Sequence, residues 1–181
     1  MFRICVYCGA SRGSRPDYRA AAARLGQELA RHQVGLVYGA GRTGLMGALA
    51  EAALRGGVEV VGVVPESLNT PELVHGSLTE LVVTPDLRTR KAVMAELSDA
   101  FAALPGGYGT LDELCETTAS AQLGVHDKRV GLLNVAGYFD ALVRQIERAV
   151  TDGFIAPRQR DLIRVAHEPD ELIERLLEPT S

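Results

Sequence analysis

Val58-Glu59-Val60-Val61-Gly62-Val63-Val64, closed by Pro65, is the stretch that decides the fold. It is the most continuous apolar run in the chain and is rich in valine, which suits a pleated strand. Apolar residues at nearly every position leave neither face for water, so the strand is covered on both sides. Strands of that kind belong to parallel sheets with helices above and below.

The pattern continues in both directions. Upstream, Gly56-Gly57 closes a helix predicted from about Thr43 to Arg55, and Val34 to Tyr38 reads as a strand before it. Earlier still, Tyr18, Ala22, Leu25 and Leu29 recur at helical spacing after Ser14-Arg15-Pro16, and Arg3 to Cys8 reads as the first strand. Downstream, residues 66–77 lack periodicity and read as a loop. Strands are predicted over Glu80 to Val83, Ala100 to Leu104, Arg129 to Leu133 and, at an edge, Ile163 to Ala166. Helices are predicted over Asp86 to Asp99, Thr110 to Leu123, Tyr138 to Thr151 and Pro169 to Leu177. Alternation along the whole chain predicts an α/β fold, a Rossmann-like doubly wound parallel sheet with helices on both faces. We expect residues 1–181 to form one Rossmann-like nucleotide-binding domain.

Composition excludes several classes. Hydrophobic residues at 46% and charged residues at 23% permit a sizeable core. A net charge of −4 argues against a nucleic-acid surface, and no apolar run is long enough to span a bilayer. We expect a soluble, cytoplasmic protein. Cys5, Cys8 and Cys115 are too few and odd in number for a disulfide framework and are expected as buried, inert thiols. Cys5 and Cys8 lie three apart on a strand and so point to opposite faces. His32, His75, His126 and His167 are scattered, so no metal constellation is evident.

Three predicted strands end in small residues: Gly9-Ala10-Ser11, Gly39-Ala40-Gly41-Arg42-Thr43-Gly44 and Gly106-Gly107-Tyr108-Gly109-Thr110. Ligands bind at the carboxyl ends of parallel strands, so these loops gather on one rim. Glycines let backbone N–H groups approach an anion, and the helix that follows adds free N–H groups and a positive dipole end. Gly9, Ser11, Gly41, Thr43 and Gly107 to Thr110 are therefore candidate phosphate ligands. Tight turning alone is the competing explanation. Gly39-x-Gly41-x-x-Gly44 also fits a dinucleotide fingerprint, but the next strand ends in Val64-Pro65 and offers only Glu66 for the ribose.

Arg88, Arg90 and Lys91 crowd the first turns of a predicted helix, where the dipole disfavours cations. Either this is a solvated basic turn or an arginine faces an anion, which its planar fork suits. Thr110-Leu111-Asp112-Glu113 fits a capping box with Thr110 as N-cap, so Glu113 reads equally as cap or catalyst.

Asp86-Leu87-Arg88-Thr89-Arg90-Lys91, Ser98-Asp99-Ala100-Phe101 and Pro105-Gly106-Gly107-Tyr108-Gly109-Thr110-Leu111-Asp112-Glu113 resemble the LOG ("Lonely Guy") family of cytokinin riboside 5′-monophosphate phosphoribohydrolases, often mislabelled lysine decarboxylases. The last stretch matches the family pattern PGGxGTxxE. The resemblance implies release of a free N6-modified adenine and ribose 5-phosphate from the nucleotide, with water as the only co-substrate and no cofactor. It implies Arg90 and Glu113 as the catalytic pair and Gly107 to Thr110, with Leu111 and Asp112, as the phosphate loop and its flank. It places Lys91 beside the site, Glu72 on a substrate-contacting loop, and two copies of the chain in a homodimer. Ala40, Arg88, Ala119 and Ser120 depart from the family pattern, and the last three bear on base preference. A non-hydrolytic nucleotide or cofactor carrier of the same fold and an NAD-dependent enzyme remain as alternatives.

Overall fold

The structure is a computed structural model that describes residues 1–178, so the last three residues of the expected domain lie outside the described residues. Seven strands run in the order expected from alternation: β1 (Arg3–Tyr7), β2 (Gly35–Tyr38), β3 (Val60–Pro65), β4 (Glu80–Thr84), β5 (Ala100–Ala103), β6 (Arg129–Leu133) and β7 (Ile163–Ala166). Six helices connect and follow them: α1 (Pro16–Arg31), α2 (Gly44–Arg55), α3 (Leu87–Glu96), α4 (Tyr108–Gln122), α5 (Asp140–Thr151) and α6 (Pro169–Leu177). All pairings are parallel, in the spatial order β4-β3-β2-β1-β5-β6-β7. The doubly wound expectation is met.

Strand alternation divides the core. Ile4, Val6 and Cys8 face a cluster with Leu25, Leu49 and Leu172, supplied by α1, α2 and α6. Cys5 and Tyr7 face the opposite cluster, with Val61, Val63, Met94 and Leu114, supplied partly by α3 and α4. Every residue of β3 is buried, as its unbroken apolar run requires. Full burial of such side chains contributes about 1.5–3 kcal/mol each. Cys5 and Cys8 are buried on opposite sides of the sheet, whereas Cys115 is exposed on α4, contrary to the expectation for all three. Among the described residues, no helix is long and apolar enough to cross a membrane.

The order reverses between β1, which leads outward to β2, and β5, which leads the other way. Chain leaving β1 and β5 therefore diverges to opposite faces and opens a crevice at their carboxyl ends.

Candidate active site

Arg90 owes its position to a capped helix start. Asp86 precedes α3, and its Oδ1 accepts the Thr89 N–H at 2.7 Å. One turn further on, Arg90 points inward and is only 9% exposed. Its Nε donates to the Val63 carbonyl of β3 at 2.9 Å, and its Nη1 donates to Glu113 Oε1 at 3.4 Å. Space for the guanidinium exists because residue 39 is glycine: a Cβ there would stand 2.0 Å from Arg90 Nη2.

Glu113 is not a cap. α4 begins at Tyr108 with Gly107 as N-cap, so Thr110 is inside the first turn and Glu113 lies beyond it. This corrects the capping-box expectation. Thr110 is buried, and its hydroxyl lies where a Cβ on Gly106 would fall, so that glycine and threonine fit each other. Glu113 faces the interior and is 6% exposed. Burial pushes its carboxyl up to about 7; Arg90 opposes the shift, Asp112 adds to it, Lys91 opposes it and Glu116 adds to it. A carboxyl that changes protonation near neutrality is fitted for acid–base work.

The three small-residue loops do share one rim. The Gly9 N–H donates to the Pro105 carbonyl at 3.0 Å, joining the loops after β1 and β5. Thr43 Oγ1 donates to the Ala10 carbonyl at 3.2 Å, joining the loops after β1 and β2. At the β1–β5 crevice, a concavity of about 180 Å³ is lined by Gly9, Ser11, Arg12 and Gly13 on one side and by Gly106 and Gly107 on the other. Tyr18 and Tyr138 wall it, with ring centroids 5.6 Å apart in an edge-on pair, and the Tyr138 hydroxyl donates to the Gly106 carbonyl. Glycines here differ in kind. Gly44 has φ +65° and its Cβ would strike the Ala10 carbonyl, so the turn needs it. A Cβ on Gly107 or Gly109 would meet nothing within 4 Å.

Lys91 and Asp112 are brought to the same place as Arg90 and Glu113: the Lys91 ammonium donates to Asp112 Oδ2 at 2.8 Å and also pairs with Glu116. Tyr108 and Gly109 are exposed at the start of α4, Leu111 is half-buried against the core, and Gly41 bridges to Val74. Glu72 lies elsewhere, exposed on a segment that runs beside the second loop. A hydrogen bond from its own backbone N–H, one from Thr70 and the charge of Arg42 hold its carboxyl below the usual range. That segment and Arg42 border a concavity of about 720 Å³, whose lining includes neither Arg90 nor Glu113. The β1–β5 crevice is not lined by that pair either; Arg90 lies instead against Gly39, at the start of the loop after β2. Arg88 is exposed, and Ala119 lines an apolar groove with Cys115, Leu142 and Ile146. The Val63 carbonyl, Arg12, Tyr138 and the packing of Gly39 against Arg90 are not encoded in any local pattern, because none reports what a distant side chain will touch.

Residues 46–176 match the family model described as "Possible lysine decarboxylase". The chain is 49% identical to cytokinin riboside 5′-monophosphate phosphoribohydrolase LOG1 of Arabidopsis thaliana, over 96% of this chain and 82% of that one. It is likewise 49% identical to LOG3 of the same plant, over 97% and 82%. A rice relative, "Probable cytokinin riboside 5'-monophosphate phosphoribohydrolase LOGL6" of Oryza sativa subsp. japonica, is 50% identical over 96% and 70%. The chain belongs to the LOG family. Among solved structures, a molybdenum cofactor binding protein from Rippkaea orientalis matches with a TM-score of 0.73 at 23% identity, covering 98% of each chain. The Moco carrier protein of Chlamydomonas reinhardtii matches with a TM-score of 0.73 at 21% identity, covering 97% of each. These two share the fold of this LOG family member, and the sequence relationship lies with the hydrolases.

Proposed function

We propose that this chain hydrolyses the N-glycosidic bond of N6-modified adenosine 5′-monophosphates, the cytokinin riboside monophosphates, with AMP as a further substrate. The products are the free base and ribose 5-phosphate. The observation that carries this reading is the buried Arg90–Glu113 pair beside a rim of glycine loops. Names of the relatives support the same activity.

Cleavage breaks the C1′–N bond and leaves its electron pair on the departing purine, while positive charge grows on the ribose ring. Ionised Glu113 stabilises that charge and orients the attacking water, taking its proton as the new C1′–O bond forms. The purine nitrogen gains a proton, so water is divided between the two products. Arg90 keeps Glu113 ionised and in place and offsets charge on the leaving side. Open N–H groups at Gly107 to Thr110 hold the 5′-phosphate against the positive end of α4, while Gly9 and Ser11 line the opposite side of the crevice and Gly41 and Thr43 lie beside it. Glu72, Lys91, Leu111 and Asp112 complete the proposed substrate surroundings. Binding energy from the non-reacting phosphate positions the sugar.

Incubation with AMP and with N6-isopentenyl-AMP, followed by chromatography, tests the activity: free base must appear. The matching nucleosides should react poorly, and equal rates with and without the phosphate would remove the loops from substrate binding.

The described residues act as one nucleotide-binding domain in this reading, working in the cytoplasm as a homodimer. α5 has no buried residue, and its Leu142 and Ile146 line the apolar groove shared with Cys115, Ala119 and Gln122 of α4. That apolar groove supports a dimer face. Light scattering at micromolar concentration should give twice the chain mass.

A further inference from the structure

Lys91 stands next to Arg90 on α3, and its ammonium is engaged by Asp112 and Glu116. Those two carboxylates are four residues apart and so share the outer face of α4. Glu113 follows Asp112 but turns inward to Arg90. The contact between α3 and α4 thus has two layers, an inner ion pair and an outer cation between two anions. The inner layer is mostly buried, whereas the Asp112 and Glu116 side chains are 61% and 52% exposed.

We propose that Lys91 is a positioning residue for the hydrolysis: it offsets, at Glu113, the negative field of Asp112 and Glu116, and it ties α3 to α4 so that Arg90 stays against Glu113. This role rests on the hydrolytic reading above. The ionisable groups that face Glu113 are few. From α3 come Arg90 and Lys91, and from α4 come Asp112 and Glu116. From β1 come the Cys5 thiol and the Tyr7 phenol, with the Cys8 thiol just beyond the strand on the other side of the sheet, all pushed up by burial and therefore uncharged near neutrality. Two cations and two anions then balance around Glu113. Removing Lys91 leaves the anions in excess, which disfavours the Glu113 carboxylate. Removing both outer anions leaves the cations in excess, which favours it. A mere clamp has no such sign: breaking it from either side would harm the site in the same way.

The test is the pH dependence of kcat for N6-isopentenyl-AMP in wild type, K91Q, K91R and the double variant D112N/E116Q. One substrate is used throughout, so titration of its phosphate, near about 6, is common to all. One unit charge near the protein surface moves a neighbouring group by about half a pH unit. The acid limb should move up by about that much in K91Q, move down in D112N/E116Q, and stay put in K91R. Half-molar salt should shrink both shifts, since the outer cluster is exposed. The carbon-13 titration of the Glu113 carboxyl, identified by its absence from E113Q, should move in the same two directions and requires no turnover. If K91Q does not fold, the downward shift in D112N/E116Q carries the test. Limbs that stay put, or that move in one direction in both variants, overturn the proposal. A wild-type protein that releases no base while its Glu113 titration shifts as stated would overturn the hydrolytic reading and leave the electrostatic one standing.

Discussion

Arg90 and Glu113 lie 23 residues apart in sequence and meet at 3.4 Å in the interior, with Arg90 also fixed to the Val63 carbonyl at 2.9 Å. Neither group has enough water around it to be indifferent to the other. The site is therefore a matter of stability as well as chemistry, and the two are separable by pH.

Glu113→Gln separates them. Its carboxyl sits near 7 in the folded protein, raised mainly by burial, against an ordinary value of 4.5. A carboxyl raised on folding contributes fully below its unfolded value, and that contribution is lost as pH rises through the folded one. Wild type should thus weaken relative to E113Q between pH 5 and pH 8, by up to about 3 kcal/mol. Thermal melts of both proteins at the two pH values check this; a difference that does not grow with pH would deny the raised carboxyl. Turnover by E113Q should fall by about 10²–10⁴-fold, the scale of a positioned acid–base group.

Arg90→Ala should cost both activity and stability. A sequence view, in which a cation at a helix start gains nothing from the dipole, makes this residue dispensable for folding. The structure reverses that, because truncation leaves Glu113 without its cation and the Val63 carbonyl without its donor. Loss of one partner from a buried pair costs about 3–5 kcal/mol. The loss should be smaller at pH 5, where Glu113 takes up a proton, than at pH 8. Urea unfolding at both pH values measures it, and equal losses would place the cost outside the ion pair.

Gly39→Ala tests whether arginine placement is set by the neighbouring strand end. The added Cβ would lie 2.0 Å from Arg90 Nη2 and 3.2 Å from Met46 Cε. Arg90 must move, and misplacement by about 1 Å can cost about 10²-fold. Activity within threefold of wild type, by kcat/KM, would show that the guanidinium has room to relax.

Gly109→Ala should raise the melting temperature and lower affinity for the nucleotide. Gly109 lies inside α4, and its Cβ would meet nothing within 4 Å, so alanine is the better helix former there by roughly 0.5–1 kcal/mol. In the proposed reading, glycine there leaves room for the nucleotide phosphate. Gly106→Ala is the contrast: its Cβ would collide with Thr110 Oγ1 at 2.1 Å, and the protein should be destabilised. A G109A variant with unchanged KM for N6-isopentenyl-AMP would take the phosphate away from this loop.

The fold was legible because its signals are local. The run from Val58 to Val64 and the alternation around it required a covered parallel sheet, and β6, β7 and α6 were bounded correctly by their turn residues. The site was legible in part. Gathering of the loops follows from strand polarity, and Gly9 and Pro105 do meet. α4 was misjudged by two residues because Thr110-Leu111-Asp112-Glu113 satisfies a capping box, while the helix starts at Tyr108 after Gly107. That small shift hid the inward turn of Glu113. Contact between Arg90 and Glu113 depends on α3 reaching past β3 to α4, which no spacing within either segment encodes; resemblance alone suggested it. Cys115 appeared to be an ordinary buried thiol because nothing in its neighbours marks the outer face of α4.

The bond from Arg90 to Val63 ends on the main chain, not on a side chain. Any amino acid at position 63 offers the same oxygen. The arginine is therefore anchored to an atom that point mutation cannot delete, and position 63 is free to drift with the needs of the core. Substitution at position 63 should accordingly leave the aim of the guanidinium in place.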